Sequence, residues 1–132
     1  MVLTDAVRKF LAQPRFAVLA TSMPDGRIQQ TVMWYELRGD QIMINTVPDR
    51  VKSNNIRRDP RVSICWEDGY RFLTIQGTVV EMIEDQDIAR EDIVSLARRY
   101  HPHQPESAHD HFRKQDRVTL LISIDHVLAK DF

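Results

Sequence analysis

Apolar and β-branched runs of strand length, separated by turn residues, make up most of this chain, and three stretches read as helices. Val7, Phe10 and Leu11 follow Leu3-Thr4-Asp5 at helical intervals, which predicts a short amphipathic helix with Thr4 as N-cap and Pro14 as its stop. Residues 16–21 (FAVLAT) form an apolar run of strand length, and Met23-Pro24-Asp25-Gly26 is a turn in which Gly26 can take positive φ. Residues 28–37 read as a strand rich in β-branched and aromatic residues. Arg38-Gly39-Asp40 then turns into a third strand over 41–47, completing a meander.

A second helix is expected over 50–58, with Asp49 as N-cap. Beyond Pro60 come a strand at 62–66, a turn at Glu67-Asp68-Gly69 and a long strand at 70–83. Gly77 inside that strand marks a bulge or bend of the kind barrels need. Residues 84–100 form the third helix, with Ile88, Ile93, Leu96, Ala97 and Tyr100 as its inner face; 101–111 is a loop and 117–128 the last strand. A parallel sheet would need a crossover helix after each strand, so six strands with few helices predict a mainly β fold, an antiparallel barrel with a few helices. No repeat or linker divides the chain, and residues 1–132 read as one domain.

Composition narrows the class. Of the 132 residues, 42% are hydrophobic and 28% charged, as in ordinary globular proteins, and a net charge of −1 gives no global field to recruit nucleic acid or an anionic membrane. The single cysteine, Cys65, allows no intrachain disulfide, and the N-terminal residues lack a long apolar core, so a cytoplasmic location is expected. Cys65 itself reads as a buried small hydrophobe. Trp34 and Trp66 read as core or interface aromatics. His101, His103, His109 and His111 cluster, but their spacing and the lack of cysteine partners fit no structural zinc pattern, and no metal is expected.

The segment from Thr46 to Val62, TVPDRVKSNNIRRDPRV, carries the candidate chemistry. Arg50 and Lys52 stand in the first turn of the expected helix, where cations oppose the helix dipole. An anion between them would reconcile the two, and a phosphate is the natural one. A solvated basic face fits the spacing equally well. Arg57 and Arg58 lie in the last turn, where cations suit the dipole. No nucleophile elbow, zinc-protease or Walker motif is present. That absence is compatible with hydride transfer, in which a cofactor carries the reactive atom.

The order strand, Pro-Asp-Gly turn, strand, turn, strand, followed by TVPDRVKSNNIRRDPRVSI, resembles the pyridoxamine 5′-phosphate oxidase-like split-barrel flavoproteins, and among them the flavin- and deazaflavin-dependent reductases. The resemblance rests most on Asn45-Thr46, Arg50, Lys52 and Asp59-Pro60-Arg61-Val62-Ser63 and extends from about Phe16 to Val127. It implies a six-stranded antiparallel FMN-binding split barrel and a homodimer with FMN or coenzyme F-420 at the subunit interface. By position it implies that Gln30, Thr31, Val32 and Met33 line the ring and that Asn45 and Thr46 meet it from the next strand. Arg50, Lys52 and Ser53 would hold the phosphate; Tyr70 and Arg71 fall where further contacts occur in such proteins. True pyridoxamine-phosphate oxidases carry a C-terminal segment with a Trp and several Arg; the chain ends at Phe132 without it, so that oxidation is not the expected activity. The resemblance thus implies an oxidoreductase passing hydride between F-420 or FMN and a small organic acceptor. A non-catalytic storage or carrier protein for the cofactor is the alternative, and a nucleic-acid-binding barrel using the basic cluster a weaker third.

Overall fold

A computed structural model of the chain describes residues 2–132. Helix α1 (Asp5–Leu11) is followed by strands β1 (Ala17–Ser22), β2 (Ile28–Met33), β3 (Glu36–Arg38) and β4 (Gln41–Thr46). Then come helix α2 (Val51–Arg58), strands β5 (Arg61–Asp68) and β6 (Arg71–Ile83), helix α3 (Gln86–Tyr100) and strand β7 (Val118–Lys130). The loop expected at 101–111 contains the short 3-10 turn Glu106–His109, and a second, Phe112–Lys114, follows it. Thr4 caps α1 as expected, accepting from the Val7 N–H at 3.2 Å. No helix among the described residues is long and apolar enough to cross a membrane.

All strands join one antiparallel sheet in the order β2-β1-β5-β6-β7-β4-β3, so the fold is mainly β as expected. There are seven strands rather than six. The stretch read as one strand over 28–37 breaks at Trp34-Tyr35, because β2 pairs with β1 while β3 pairs with β4 at the far end of the sheet. Tyr35 anchors the crossing: it is fully buried, and its hydroxyl meets the Leu11 and Gln13 carbonyls at 3.1 and 2.7 Å. Burial, reinforced by the neighbouring Tyr100, pushes the Tyr35 phenol up to about 12.

Alternation fills the interior. Leu19 from β1, Ile42 and Ile44 from β4, Ile64 and Trp66 from β5, and Leu73 and Ile75 from β6 all point inward and are buried. Cys65, one position out of phase with Ile64 and Trp66, is therefore exposed on the outer face and not the buried hydrophobe expected. Gly77 does mark a register irregularity between β6 and β7, and a Cβ there would lie 2.2 Å from the Ser123 carbonyl oxygen. Helix α3 covers the outer face of β4 and β7 with Ala89, Ile93, Leu96 and Ala97; Ile88, expected on that face, is 47% exposed because Ala89 and not Ile88 is in helical phase with Ile93 and Leu96. Met43, Ile93 and Leu96 form a second small core there.

Candidate functional site: a cationic helix end at the split between two strand edges

The two groups of residues singled out on β2 and β4 stand on edges that do not pair with each other. β2 has only β1 as a neighbour, and β4 pairs with β3 only over Gln41 to Met43, which leaves the Ile44–Thr46 edge open on that side. This is the split in the barrel. Open edges present backbone N–H and C=O groups, the complement of a planar amide-rich ring.

Side-chain parity divides the β2 quartet. Gln30 and Val32 face outward and are exposed, whereas Thr31 and Met33 face the other way and are partly buried. Thr31 accepts from Gln29 at 2.7 Å. The four cannot line one ring face with their side chains, because a strand points successive side chains to opposite sides. What they share is the open edge. Asn45, placed against the ring by the resemblance, is 4% exposed under α3, where its amide donates to the Ala89 carbonyl at 2.8 Å and the Thr119 hydroxyl at 3.0 Å. Thr46 beside it is equally buried.

Helix α2 begins one residue later than expected, so Arg50 and not Asp49 is its N-cap, and no side chain caps it. Its first turn holds no acidic residue, while Lys52 is buried to 8% exposure with neither hydrogen bond nor ion pair among the described residues. Its stem is buried while its ammonium keeps access to solvent, and a partly dehydrated cation beside other cations is costly. Burial, with Arg50 and Arg117 nearby, lowers the Lys52 pKa. Ser53 is placed in the same turn but has no donor to offer: its hydroxyl donates to the Val47 carbonyl at 2.9 Å and its N–H to the Arg50 carbonyl at 3.0 Å. Arg57 reaches the Pro48 carbonyl at 3.0 Å and pairs with Glu84, and Arg58 donates to the Ser22 carbonyl.

Arg117, just before β7, is the residue that sequence reasoning missed. It is 8% exposed and forms no ion pair among the described residues. Its Nε donates to Asn45 Oδ1 and one terminal nitrogen to Gln115 Oε1, both at 2.9 Å. Burial, then the Arg50 charge, brings its pKa down to about 10. Arg50, Lys52 and Arg117 thus converge without a carboxylate among them.

Beside Arg117 lies an open groove of about 240 Å³, lined by Val32, Met33, Trp34, Asn45, Phe112 and Arg117 among others. Trp34 stacks on Tyr100 with ring centres 5.1 Å apart, and His101 meets its edge. Three larger concavities, of about 450, 410 and 290 Å³, lie between α1 and the end of β7, on the outer face of β1, β5 and β6, and between α2 and β6; none of the three cations lines any of them. Tyr70 is 94% exposed at the β5–β6 turn, and Arg71 pairs with Asp68 at 2.7 Å over the Phe10 ring. No group of His, Cys, Asp and Glu among the described residues is arranged to hold a metal. His109 is buried, and its Nε2 has no partner among the described residues.

Residues 3–131 match the sequence model of the family described as pyridoxamine 5′-phosphate oxidase. The chain belongs to that family. Among solved structures it is similar to an F-420 reductase, with 26% identity, a TM-score of 0.81 and coverage of 96% of this chain and 98% of that one. It is also similar to the Mycobacterium tuberculosis protein Rv2991, at 29% identity and a TM-score of 0.83 over 99% of this chain and 86% of that one. HutZ, a heme storage protein from Vibrio cholerae, shares the fold at 19% identity, with a TM-score of 0.75 over 100% of this chain and 97% of that one. Family membership and the split between β2 and β4 agree with the resemblance read from residues 45–63.

Proposed function

We propose that the chain is a cytoplasmic, homodimeric oxidoreductase that passes hydride between a bound flavin-type cofactor, coenzyme F-420 or FMN, and a small organic acceptor. The observation that carries this reading is Lys52, whose stem is buried and whose unpaired ammonium opens toward solvent at an uncapped helix N-terminus between two arginines. Such a place is favourable for a phosphate and unfavourable for almost anything else. With the phosphate there, the adjoining open edges of β2 and β4 and the groove beside Arg117 receive the ring. The cofactor supplies the hydride chemistry; the residues of this chain anchor, orient and exclude water.

The groove is smaller than the roughly 300–1,000 Å³ of sites that enclose a whole ligand. A second copy is the natural way to complete it. An outward row crosses five strands at matched register, Val32–Val18–Cys65–Thr74–Leu128, with Val32 and Leu128 each 62% exposed. This apolar face continues to the groove through Val32, so a copy docked on it would also wall the site. The likeness to the F-420 reductase supports the deazaflavin, and the pair of cofactors shares the phosphate-bearing end and most of the ring.

Side-by-side titration of the purified protein with FMN and coenzyme F-420 tests the reading. At least one should bind at micromolar concentration or better and compete with inorganic phosphate; binding of neither would sink it. The second reading, a carrier that holds cofactor without turnover, is favoured by the absence of an acid–base pair in the groove and by the storage protein on the same fold. Oxidation of reduced cofactor by quinones, biliverdin or unsaturated ketones in the presence of the protein decides between the two.

A further inference from the structure

We infer that Arg117 is a positioning residue for the ring end of the ligand: it fixes a permanent positive charge against the ring's polar edge and holds the reduced ring as an anion. The inference rests on the cofactor reading above and concerns a residue outside the phosphate anchor.

Three features of Arg117 set it apart from the other arginines. Its charge is uncompensated by design of the surroundings. The nearest carboxylate along its hydrogen-bond chain is Asp92, reached through Asn45 and the Thr119 hydroxyl, which donates to Asp92 at 2.7 Å. The other Asp92 oxygen is already engaged by Arg38 at 2.9 Å. Arg117 therefore leans on neutral acceptors alone, Asn45 and Gln115. A buried guanidinium held by neutral oxygens retains its full field toward any open side.

Its geometry is also fixed from every direction. The Arg117 N–H donates to Gln86 Oε1 at 2.8 Å, and its carbonyl accepts from Gln86 Nε2 at 2.9 Å, so one glutamine of α3 clamps the backbone on both sides. The side chain is pinned at two nitrogens, and the Phe112 ring lies 5.7 Å from the guanidinium carbon. Little reorganisation is left to occur when a ligand arrives.

Finally, it faces a different space from Lys52. Arg117 lines the groove together with the β2 residues Val32 and Met33 and with Trp34 and Phe112, whereas Arg50 and Lys52 are absent from that lining. The phosphate cations belong to the end of α2; Arg117 belongs to the aromatic groove. Burial and the Arg50 charge bring its pKa down, and an anion at the groove would offset the repulsion from Arg50. A reduced flavin or deazaflavin ring is the group there that can become one, by losing a proton at its pyrimidine end.

The test uses protein loaded with FMN, reduced anaerobically, with the absorbance of the reduced ring followed against pH for the wild type, Arg117→Gln and Arg117→Lys. Arg117→Gln should raise the apparent pKa of the bound reduced ring by about one unit. It should also weaken binding of reduced FMN about tenfold more than that of oxidised FMN, which for a two-electron couple corresponds to about 30 mV. Arg117→Lys keeps the charge without the two-point anchoring and should fall between; if Arg117→Gln does not fold, a measurable rise in Arg117→Lys carries the test. An unchanged ring pKa and an unchanged ratio of oxidised to reduced affinity, in a variant that still binds FMN, would overturn the role of Arg117 and leave the cofactor reading intact. Failure of the wild type to bind FMN or F-420 would overturn both.

Discussion

Replacing Lys52 with methionine removes the only buried charge of α2 and keeps an unbranched stem of similar reach. Two effects of opposite sign should follow. The anion site loses a charge-assisted contact of about 1.5–3 kcal/mol, so affinity for inorganic phosphate, read by calorimetry, should fall roughly 10- to 150-fold. The ligand-free fold should meanwhile become more stable, by about 0.5–2 kcal/mol, because a partly dehydrated ammonium facing the Arg50 and Arg117 charges is removed. In a melting experiment at pH 7 that is a rise of a few degrees. The pH dependence gives the sign independently. The Lys52 pKa in the fold lies below its ordinary value of 10.5, so between those two points the unfolded chain binds more protons than the folded one. Wild-type stability must then gain on the Met variant as pH rises through that window, and the gap between them must close. A variant that melts lower than wild type at pH 7, or binds phosphate as well, would refute the reasoning.

Gly77→Ala should destabilise the barrel by about 1–3 kcal/mol in denaturant unfolding, because the added Cβ would sit 2.2 Å from a backbone oxygen and 2.7 Å from Ile122 Cγ2, and neither can move freely. Leu128→Glu, in the outward apolar row, should shift the protein toward monomer in sedimentation and weaken cofactor binding together; a dimer unaffected by it would place the interface elsewhere. On the proposed dimer the same row offers a chemical readout: Cys65, exposed in the single chain, should react slowly with a thiol reagent at high protein concentration and quickly on dilution. Tyr35→Phe removes the hydroxyl that meets the Leu11 and Gln13 carbonyls and should cost about 1–3 kcal/mol, with little change in phosphate affinity.

Features that depend on near neighbours were legible in the chain. Thr4 as a cap, Gly77 as an irregularity and the anomalous cations of the second helix each follow from a few adjacent residues. Features set by long-range pairing were not. Nothing in Trp34-Tyr35 breaks a strand; the break exists because β3 pairs with β4 and not with β1, a choice made by residues elsewhere. Arg117 is the sharper case. A charged residue opening an apolar strand is usually solvated, and only the pairing of Thr46 with Val118 brings this one beside Asn45 and under α3. Asn45 stood out in the sequence beside Thr46, but not its contacts: it lines the groove and also holds Arg117 through Oδ1 and the Ala89 carbonyl of α3 through its amide nitrogen.

The site combines two features that weaken the empty protein. Strand edges at the split forgo the hydrogen bonds that would close the barrel, and three cations converge without a counter-charge. Closing the split, or placing one glutamate near α2, would remove either cost, so their coexistence has a single economical physical account. A ligand with a phosphate at one end and an amide-like ring at the other satisfies Arg50 and Lys52 with the first, and Arg117 and the edges with the second. On the proposed reading, cofactor is then part of what stabilises the native state: at a free concentration one hundred times the dissociation constant it adds about 2.7 kcal/mol. The Met variant, binding roughly 10- to 150-fold more weakly, gains only about 0.3–1.4 kcal/mol at the same concentration. The wild type's net advantage of about 1.3–2.4 kcal/mol outweighs a gain of about 1 kcal/mol from removing the Lys52 charge, so the loaded wild type should outlast the Met variant that outlasts it when empty. A crossing of the two melting temperatures on adding FMN or F-420, with no crossing on adding an uncharged ring that lacks the phosphate, is the behaviour that an anchor built for an anion requires.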